Sequence, residues 1–188
     1  MTISINQLSS NIALKIDNDI YLVTEYHHVK PGKGSAFARV KLKSMTTDNT
    51  LERTFRTSDK LDDVTLDERP LEYLYASGDR LHFMDHSSYE EVVLTAEQVG
   101  DARLFMPENL EVTGIFHNNK ILKVLLPTFI TVRIQHTEPG IRGDSSRSGN
   151  KPATIATGAA VQVPLFVDIG EWVKIDTRTG TYVERVKK

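Results

Sequence analysis

The regular recurrence of short β-type segments is the feature that most constrains how this chain can fold. The segments are rich in β-branched and aromatic residues, and turn signals such as Asp17-Asn18-Asp19, Ser77-Gly78-Asp79 and Asn118-Asn119 separate them. Short strands at such spacing, with almost no helical periodicity between them, are typical of small β-barrels. We therefore expect an all-β protein of three small barrel domains.

One segment, residues 96–104, has the pattern of a helix. Thr95 can accept a hydrogen bond at the helix N-terminus, and Gln98 stands at the third helical position, where it completes a capping box. We expect this helix to be the only substantial one.

Two changes in composition predict the domain boundaries. The run 58–68 is rich in acidic residues, and Pro127 follows the last apolar residues of the middle segment. The predicted domains are therefore residues 1–65, 66–127 and 128–188, whose formal net charges are +1, −6 and +3. This segregation allows the two basic ends to contact phosphate while the acidic middle faces a cationic protein.

A tight turn with a lysine at its tip lies in the first segment. Lys30-Pro31-Gly32-Lys33 fits a type II turn, in which proline presets φ at the second position and glycine supplies the positive φ at the third. Gly34 adds a second position without a Cβ. The pattern predicts a finger that holds Lys33 away from the body of the domain.

The strand that leaves this turn alternates in character. Small and aliphatic residues should point to one face, while Arg39, Lys41 and Lys43 should point to the other. A projecting lysine beside a basic strand face suits a polyanion. A glycine-rich hairpin whose lysines are only solvated explains the same pattern equally well.

A second candidate is the loop 137–152. It contains three glycines and the cations Arg142, Arg147 and Lys151. A connection of this length without structure of its own is uncommon in a small domain and is often functional. We therefore treat this loop as a second candidate for contact with RNA.

The residues present argue against several functions. The chain contains no cysteine, no serine nucleophile elbow and no phosphate loop, so we expect no catalytic residue. His82 and His86 have the spacing of a helical metal pair, but their context is strand and turn, so we expect no metal site. We expect neither a membrane span nor a secretory signal. An RNA- or ribosome-binding protein of the reducing cytoplasm remains.

Two motifs resemble the bacterial elongation factor P family. The finger and the strand after it resemble the N-terminal finger of that family, in the order Lys30-Pro31-Gly32-Lys33-Gly34-Ser35-Ala36-Phe37-Ala38-Arg39-Val40-Lys41. The family's C-terminal signature is matched by Lys151-Pro152-Ala153-Thr154, Gly158, Val161, Val163-Pro164-Leu165, Val167 and Gly170. Residues 176–183 are also similar. The resemblance covers essentially the full length.

The resemblance implies a fold and a function. The fold would be an N-terminal SH3-like or KOW-like barrel followed by two OB-folds, in an elongated, tRNA-like L shape. The function would be that of a translation elongation factor which binds the ribosome between the peptidyl and exit tRNA sites and relieves stalling at consecutive prolines. Lys33 would reach toward the peptidyl-transferase centre. The residues Lys30, Pro31, Gly32 and Gly34 would present it, and Arg39, Lys41 and Lys43 would face RNA.

The resemblance also implies partners and a modification. The partners would be both ribosomal subunits, rRNA, peptidyl-tRNA and mRNA at the exit site, and the protein would be a cytoplasmic monomer without a cofactor. In many members the finger lysine carries a β-lysyl-type extension, installed by an enzyme resembling lysyl-tRNA synthetase. A modified and a bare Lys33 are equally compatible with the sequence. The loop of the third domain would face RNA through Arg142, Gly143, Asp144, Ser145 and Arg147.

Two positions depart from the family pattern. Ser145 stands where the family usually has threonine, and Glu138 stands where aspartate is common. Lys33 separates the chain from a paralogous factor that carries arginine at the tip. The alternatives are that paralogue, a general RNA-binding module, and an adaptor whose acidic middle binds a protein.

Overall fold

The computed structural model describes residues 2–30, 36–139 and 149–187. Strands dominate it, and the prediction of an all-β fold is confirmed. Contacts group the chain into two compact units, Met1–Glu68 with Ile115–Lys123 and Arg69–Gly114 with Val124–Lys188. The division into three domains stays a prediction. Among the described residues, no helix has the length and apolar character needed to cross a membrane.

The first sheet contains six antiparallel strands. They are β1 (Thr2–Ile3), β2 (Ala13–Ile16), β3 (Asp19–Val29), β4 (Phe37–Ser44), β5 (Thr50–Arg56) and β6 (Leu61–Val64), and the order in the sheet is β1-β6-β2-β3-β4-β5. β6 lies within the acidic run, where the sequence predicted only a boundary. It forms there because Leu61 is buried in the core and its neighbours pair with β1 and β2.

The predicted alternation of β4 is confirmed. Ala38, Val40 and Leu42 are fully buried, and they pack with Leu14 and Val23 in the core of the first sheet. Successive side chains of a strand point to opposite faces, so the residues between these three necessarily point outward. The core below β4 therefore fixes which of its cations face solvent.

The second sheet contains five strands, with a short helix after β9. The elements are β7 (Asp67–Ser77), β8 (Arg80–Asp85), β9 (Glu91–Thr95), α1 (Ala96–Val99), β10 (Glu111–His117) and β11 (Lys120–Leu125), and the order in the sheet is β11-β10-β7-β8-β9. Leu71, Leu81 and Phe83 are buried on this sheet, and the Phe83 ring lies 5.5 Å from that of Tyr73.

The predicted helix is correct at its start and wrong at its end. The Gln98 amide donates to the Thr95 hydroxyl at 3.2 Å, and the Thr95 amide donates to the Gln98 side chain at 2.9 Å, so the capping box forms. The α-helix ends at Val99 because Gly100 adopts φ +62°. The chain continues as a 3₁₀ helix, Gly100–Phe105, rather than as a longer α-helix.

The tip of the β10–β11 hairpin belongs to the N-terminal unit. Ile115 is buried in a small apolar cluster with Ala13, Ile20 and Met45, and Leu122 packs against the same cluster. This part of the hairpin thus helps to cover the first sheet, although it lies far away in the sequence. Chain order alone does not define the N-terminal unit.

The third sheet closes into a barrel. Its strands are β12 (Phe129–Thr137), β13 (Asn150–Ile155), β14 (Ala160–Pro164), β15 (Trp172–Asp176) and β16 (Thr181–Val186), and they close in the order β12-β13-β14-β16-β15. Alternate residues of β12, β13, β14 and β15 fill the interior, with Ile155, Val163, Val173 and Ile175 fully buried, and β16 adds the partly buried Tyr182. Closure leaves this sheet without a free edge.

Candidate nucleic-acid interface

The finger is framed by the hairpin of β3 and β4. The two strands pair antiparallel up to Val29, which lies opposite Phe37. Lys30 is exposed at the start of the connection. The other finger residues, Pro31, Gly32, Lys33 and Gly34, lie outside the described residues, so the type II turn stays a prediction. The hairpin on either side of it is present as expected.

The outward face of this hairpin extends over β3, β4 and β5. The strand register places Arg39 between His27 and Thr54. One step away from the finger, Lys41 lies between Glu25 and Glu52. The two glutamates beside Lys41 therefore lie on the half of the face that is farther from the finger.

Lys41 is committed to an ion pair. Its Nζ lies 2.8 Å from Glu25 Oε2, and its hydrogen bond to Glu25 raises the pKa of the lysine while lowering the pKa of the carboxyl. Glu52, on the opposite side, raises the pKa of Lys41 further. The prediction that Lys41 faces outward is confirmed, but two carboxylates already offset its charge.

Lys43 is also paired. Its Nζ lies 2.9 Å from Oδ1 of Asp48, and Lys123 of β11 contacts the same carboxylate. Partial burial acts to raise the pKa of Asp48, but the hydrogen bonds from Lys123 and Lys43 outweigh it and hold the pKa below its usual value of 3.8. Asp48 thus ties the turn after β4 to the hairpin tip within the N-terminal unit.

Arg39 differs from both lysines. It is exposed, and in the described part of the chain no carboxylate lies within ion-pair distance of its guanidinium. Among the described residues, the three cations that the sequence grouped together therefore separate into Arg39, which has no carboxylate partner and lies near the finger, and two lysines away from it that each contact a carboxylate. Only the first remains fully available to an anionic partner.

The loop of the third barrel is described only at its ends. Arg142, Gly143, Asp144, Ser145 and Arg147 lie outside the described residues, so their predicted contacts with RNA stay a prediction. β12 ends at Thr137 and β13 begins at Asn150, so the connection is long, as expected.

A buried lysine fixes the base of this loop. Lys151 is 5% exposed, and its Nζ donates to the backbone carbonyl of Glu138 at 2.8 Å. The Glu138 side chain takes no part in that contact, so the extra methylene relative to aspartate does not affect it. Sequence reasoning counted Lys151 among the basic loop residues and missed this anchoring role, since only the fold reveals that it is buried.

His82 and His86 each contact a glutamate. His82 Nδ1 lies 2.6 Å from Glu91, and His86 Nε2 lies 3.0 Å from Glu72. No group of three metal-ligating side chains comes together among the residues that the structure describes.

Comparison with protein families gives three consecutive matches. Residues 4–61 match the KOW-like domain of elongation factor P, residues 66–124 match its OB domain, and residues 130–185 match its C-terminal domain. The first two descriptions agree with the predicted KOW-like barrel followed by an OB-fold, and together the three matches cover most of the chain.

Individual relatives match over nearly the full length. Elongation factor P of Natranaerobius thermophilus is 43% identical over 98% of this chain and 98% of its own. That of Clavibacter michiganensis subsp. michiganensis is 46% identical over 95% of this chain and 96% of its own. Among solved structures, the eukaryotic translation initiation factor 5A from Methanococcus jannaschii is 26% identical, with a TM-score of 0.49 over 66% of this chain and 95% of its own. From the three domain matches and the full-length relatives, the chain belongs to the elongation factor P family and is a translation elongation factor, not an enzyme.

Proposed function

We propose that the chain binds the ribosome between the peptidyl and exit tRNA sites and stimulates peptide-bond formation, which relieves stalling at consecutive prolines. The observation that carries this proposal is the near-complete match to proteins named elongation factor P. The β3–β4 hairpin supports it, because its strands flank residues 30–36, where the sequence predicts the finger with Lys33 at its tip. Lys33 would then reach toward the peptidyl-transferase centre.

The proposed mechanism is orientation of the reactants. Proline is a poor substrate for peptide-bond formation, and a factor that holds the end of the peptidyl-tRNA in a reactive position lowers the entropic cost of reaction. The positive charge of Lys33 suits a cavity lined by phosphates. A lysine side chain on a turn has limited reach, so a covalent β-lysyl-type extension would carry its amine deeper into RNA.

The proposed partners follow from this position. They are the two ribosomal subunits, rRNA, peptidyl-tRNA, and mRNA at the exit site, which the loop with Arg142, Gly143, Asp144, Ser145 and Arg147 would approach. An enzyme resembling lysyl-tRNA synthetase would modify Lys33. The acidic middle segment suits a basic ribosomal protein. The protein would act in the cytoplasm as a monomer.

The decisive experiment replaces the finger lysine. We expect Lys33→Ala to abolish rescue of a polyproline reporter in cells that lack their own factor. Lys15→Ala removes the same charge from an exposed position of β2 and should rescue normally. Circular dichroism should show both variants folded, because Lys15 is exposed and the sequence predicts Lys33 at the tip of a turn, and surface substitutions cost little stability, within about 0.5 kcal/mol. Full rescue by Lys33→Ala would contradict the proposed role of the finger.

The modification is tested separately. We expect peptide mass spectrometry of the protein purified from its own cells to find an added group on the peptide that contains Lys33. An unmodified Lys33 in active protein would remove the extension from the mechanism and leave the proposed ribosome binding in place.

A further inference from the structure

An open cavity lies on the outward face of β4 and β5, beside the base of the finger. Among the described residues, Phe37, Arg39, Thr54 and Arg56 line it, and its volume is about 500 Å³. The register places Phe37 opposite Arg56 and Arg39 opposite Thr54, so all four side chains project from the same small area of sheet. This volume falls in the range of roughly 300–1,000 Å³ that is usual for small-ligand sites.

The cavity concentrates positive charge without an internal counter-ion. Within the described residues, neither Arg39 nor Arg56 has a carboxylate at ion-pair distance. Asp59 is the nearby acidic residue, and its Oδ2 accepts a hydrogen bond from the backbone amide of Arg56 at 2.8 Å. The planar guanidinium group of arginine matches a phosphate, to which it can donate two parallel hydrogen bonds.

The other two lining residues suit the rest of a nucleotide. Phe37 is half-buried, and part of its side chain faces the cavity. An aromatic ring beside a basic surface is the arrangement on which unpaired bases stack. The hydroxyl of Thr54 can donate to a phosphate or sugar oxygen. The combination of two guanidinium groups with an aromatic ring favours RNA over an acidic protein.

We propose that this cavity binds one nucleotide of single-stranded RNA, with its phosphate on Arg39 and Arg56 and its base stacked on Phe37. The proposal rests on the proposed function, since the RNA would belong to the ribosome or to a tRNA bound there. Phe37 begins the strand that leaves the finger, so the contact would hold the finger at its base. Lys41 and Lys43, which the sequence also predicted to face RNA, would not share in this contact, and their predicted role stays a prediction.

The charge contribution is tested by removing both arginines. The dissociation constant of the full chain for purified ribosomes is measured over a series of KCl concentrations. We expect Arg39→Gln/Arg56→Gln to weaken binding by roughly tenfold and to lower the slope of log K against log salt by about 0.7, the value for the one phosphate contact that is lost. Lys15→Gln/Arg53→Gln removes the same charge elsewhere on the N-terminal unit and should change binding much less.

The conservative pair Arg39→Lys/Arg56→Lys keeps both charges and should retain most of the salt slope. The proposal would be overturned if Arg39→Gln/Arg56→Gln bound ribosomes with the wild-type dissociation constant. It would also be overturned if this variant bound more weakly but with an unchanged salt slope. Failure of the wild-type chain itself to bind ribosomes would instead contradict the proposed function. The two failures are therefore distinguishable.

Stacking on the ring is tested independently of charge. We expect Phe37→Leu to weaken ribosome binding by roughly 5-fold to 100-fold without changing the salt slope, because base stacking is not ionic. Phe37→Tyr keeps an aromatic ring and should bind like wild type. Wild-type affinity of Phe37→Leu would contradict the stacked base.

A cross-link identifies the class of partner. A photoreactive benzoylphenylalanine in place of Thr54 points into the cavity and leaves the two arginines and Phe37 intact. After irradiation of the ribosome complex, we expect the cross-linked product to contain rRNA or tRNA. A product that contains only a ribosomal protein would overturn the proposal.

Discussion

The cations of the N-terminal sheet and those of the C-terminal barrel are used in different ways. On the sheet, Arg39 and Arg56 face an open cavity, and in the described part of the chain no carboxylate lies within ion-pair distance of either guanidinium. On the barrel, five cations are held by oxygen acceptors of the barrel itself. They are Arg133 with the Gly170 carbonyl, Lys151 with the Glu138 carbonyl, Lys174 with Glu184, Arg178 with Asp176, and Arg185 with Glu171.

This difference shows why net charge is a poor guide to an RNA surface. The C-terminal segment has a net charge of +3 and the N-terminal segment has +1, so the sequence ranks the barrel as the more basic. On the described surface of the barrel, Lys174, Arg178 and Arg185 already have carboxylate partners that offset their charge, so less of the barrel's positive charge is available to a phosphate. For binding to RNA, the number of cations without a carboxylate partner matters more than the net charge of the segment.

The largest expected effect concerns Lys151, whose side chain is buried. We expect Lys151→Ala to lower the free energy of unfolding by about 2–4 kcal/mol, since it removes a buried aliphatic stem and a hydrogen bond from a charged donor. Urea unfolding followed by circular dichroism measures this. Lys151→Met keeps the stem and should lose only about 1 kcal/mol. An unchanged stability of Lys151→Ala would show that this cation is as free as Arg39.

A smaller effect is expected at Asp48, which pairs two lysines in the N-terminal unit. Its carboxyl pKa is lowered in the folded state, so its contribution to stability is present above the usual value of 3.8 and is lost as the pH falls through the folded-state pKa. We expect Asp48→Asn to lose about 0.5–1 kcal/mol at neutral pH, and the difference from wild type to shrink in acid.

Urea unfolding at neutral pH and at about pH 3 measures this pH dependence. Asp17→Asn is a matched control, because Asp17 is 84% exposed and has a single 3.3 Å pair with Arg53. A loss for Asp48→Asn that persists unchanged in acid would show that the ion pairs are not its cause.

The smallest effect is expected from freeing Lys41. Glu25→Gln removes its 2.8 Å partner, and Glu52 remains opposite it. We expect ribosome affinity to rise by a few-fold at low salt, and the salt slope to steepen by up to about 0.7 if one more phosphate contact forms. Glu90→Gln makes the same charge change in the acidic middle segment. Equal behaviour of the two variants would mean that net charge, rather than pairing, sets the affinity.

The sequence predicted the elements of β4 well because the side-chain period of a strand is local. Ala38, Val40 and Leu42 alternate with outward residues, and no distant information is needed to see it. Whether an outward-facing cation is ion-paired depends instead on strand register, which the sequence does not show. Glu25 lies 16 residues before Lys41, and the pairing between β3 and β4 shifts between Val23 and Glu25, so spacing alone could not bring the two together.

Other differences have the same origin. The short α1 ends early because Gly100 takes a positive φ, which outweighed the helical pattern of the residues after it. Arg56 was not predicted as part of the basic face, because only its pairing with Phe37 places it there. The finger and the residues 140–148 stay predictions from the resemblance.

The hairpin tip that covers the first sheet sets an order of events during synthesis. Ile115 and Leu122 supply part of the apolar cluster around Ala13 and Ile20, so this cluster is incomplete until residue 123 has been made. The first residues to leave the ribosome thus wait for later ones before their apolar side chains are covered. An isolated fragment of residues 1–65 would expose that surface permanently, and aggregation of such a fragment is the expected result.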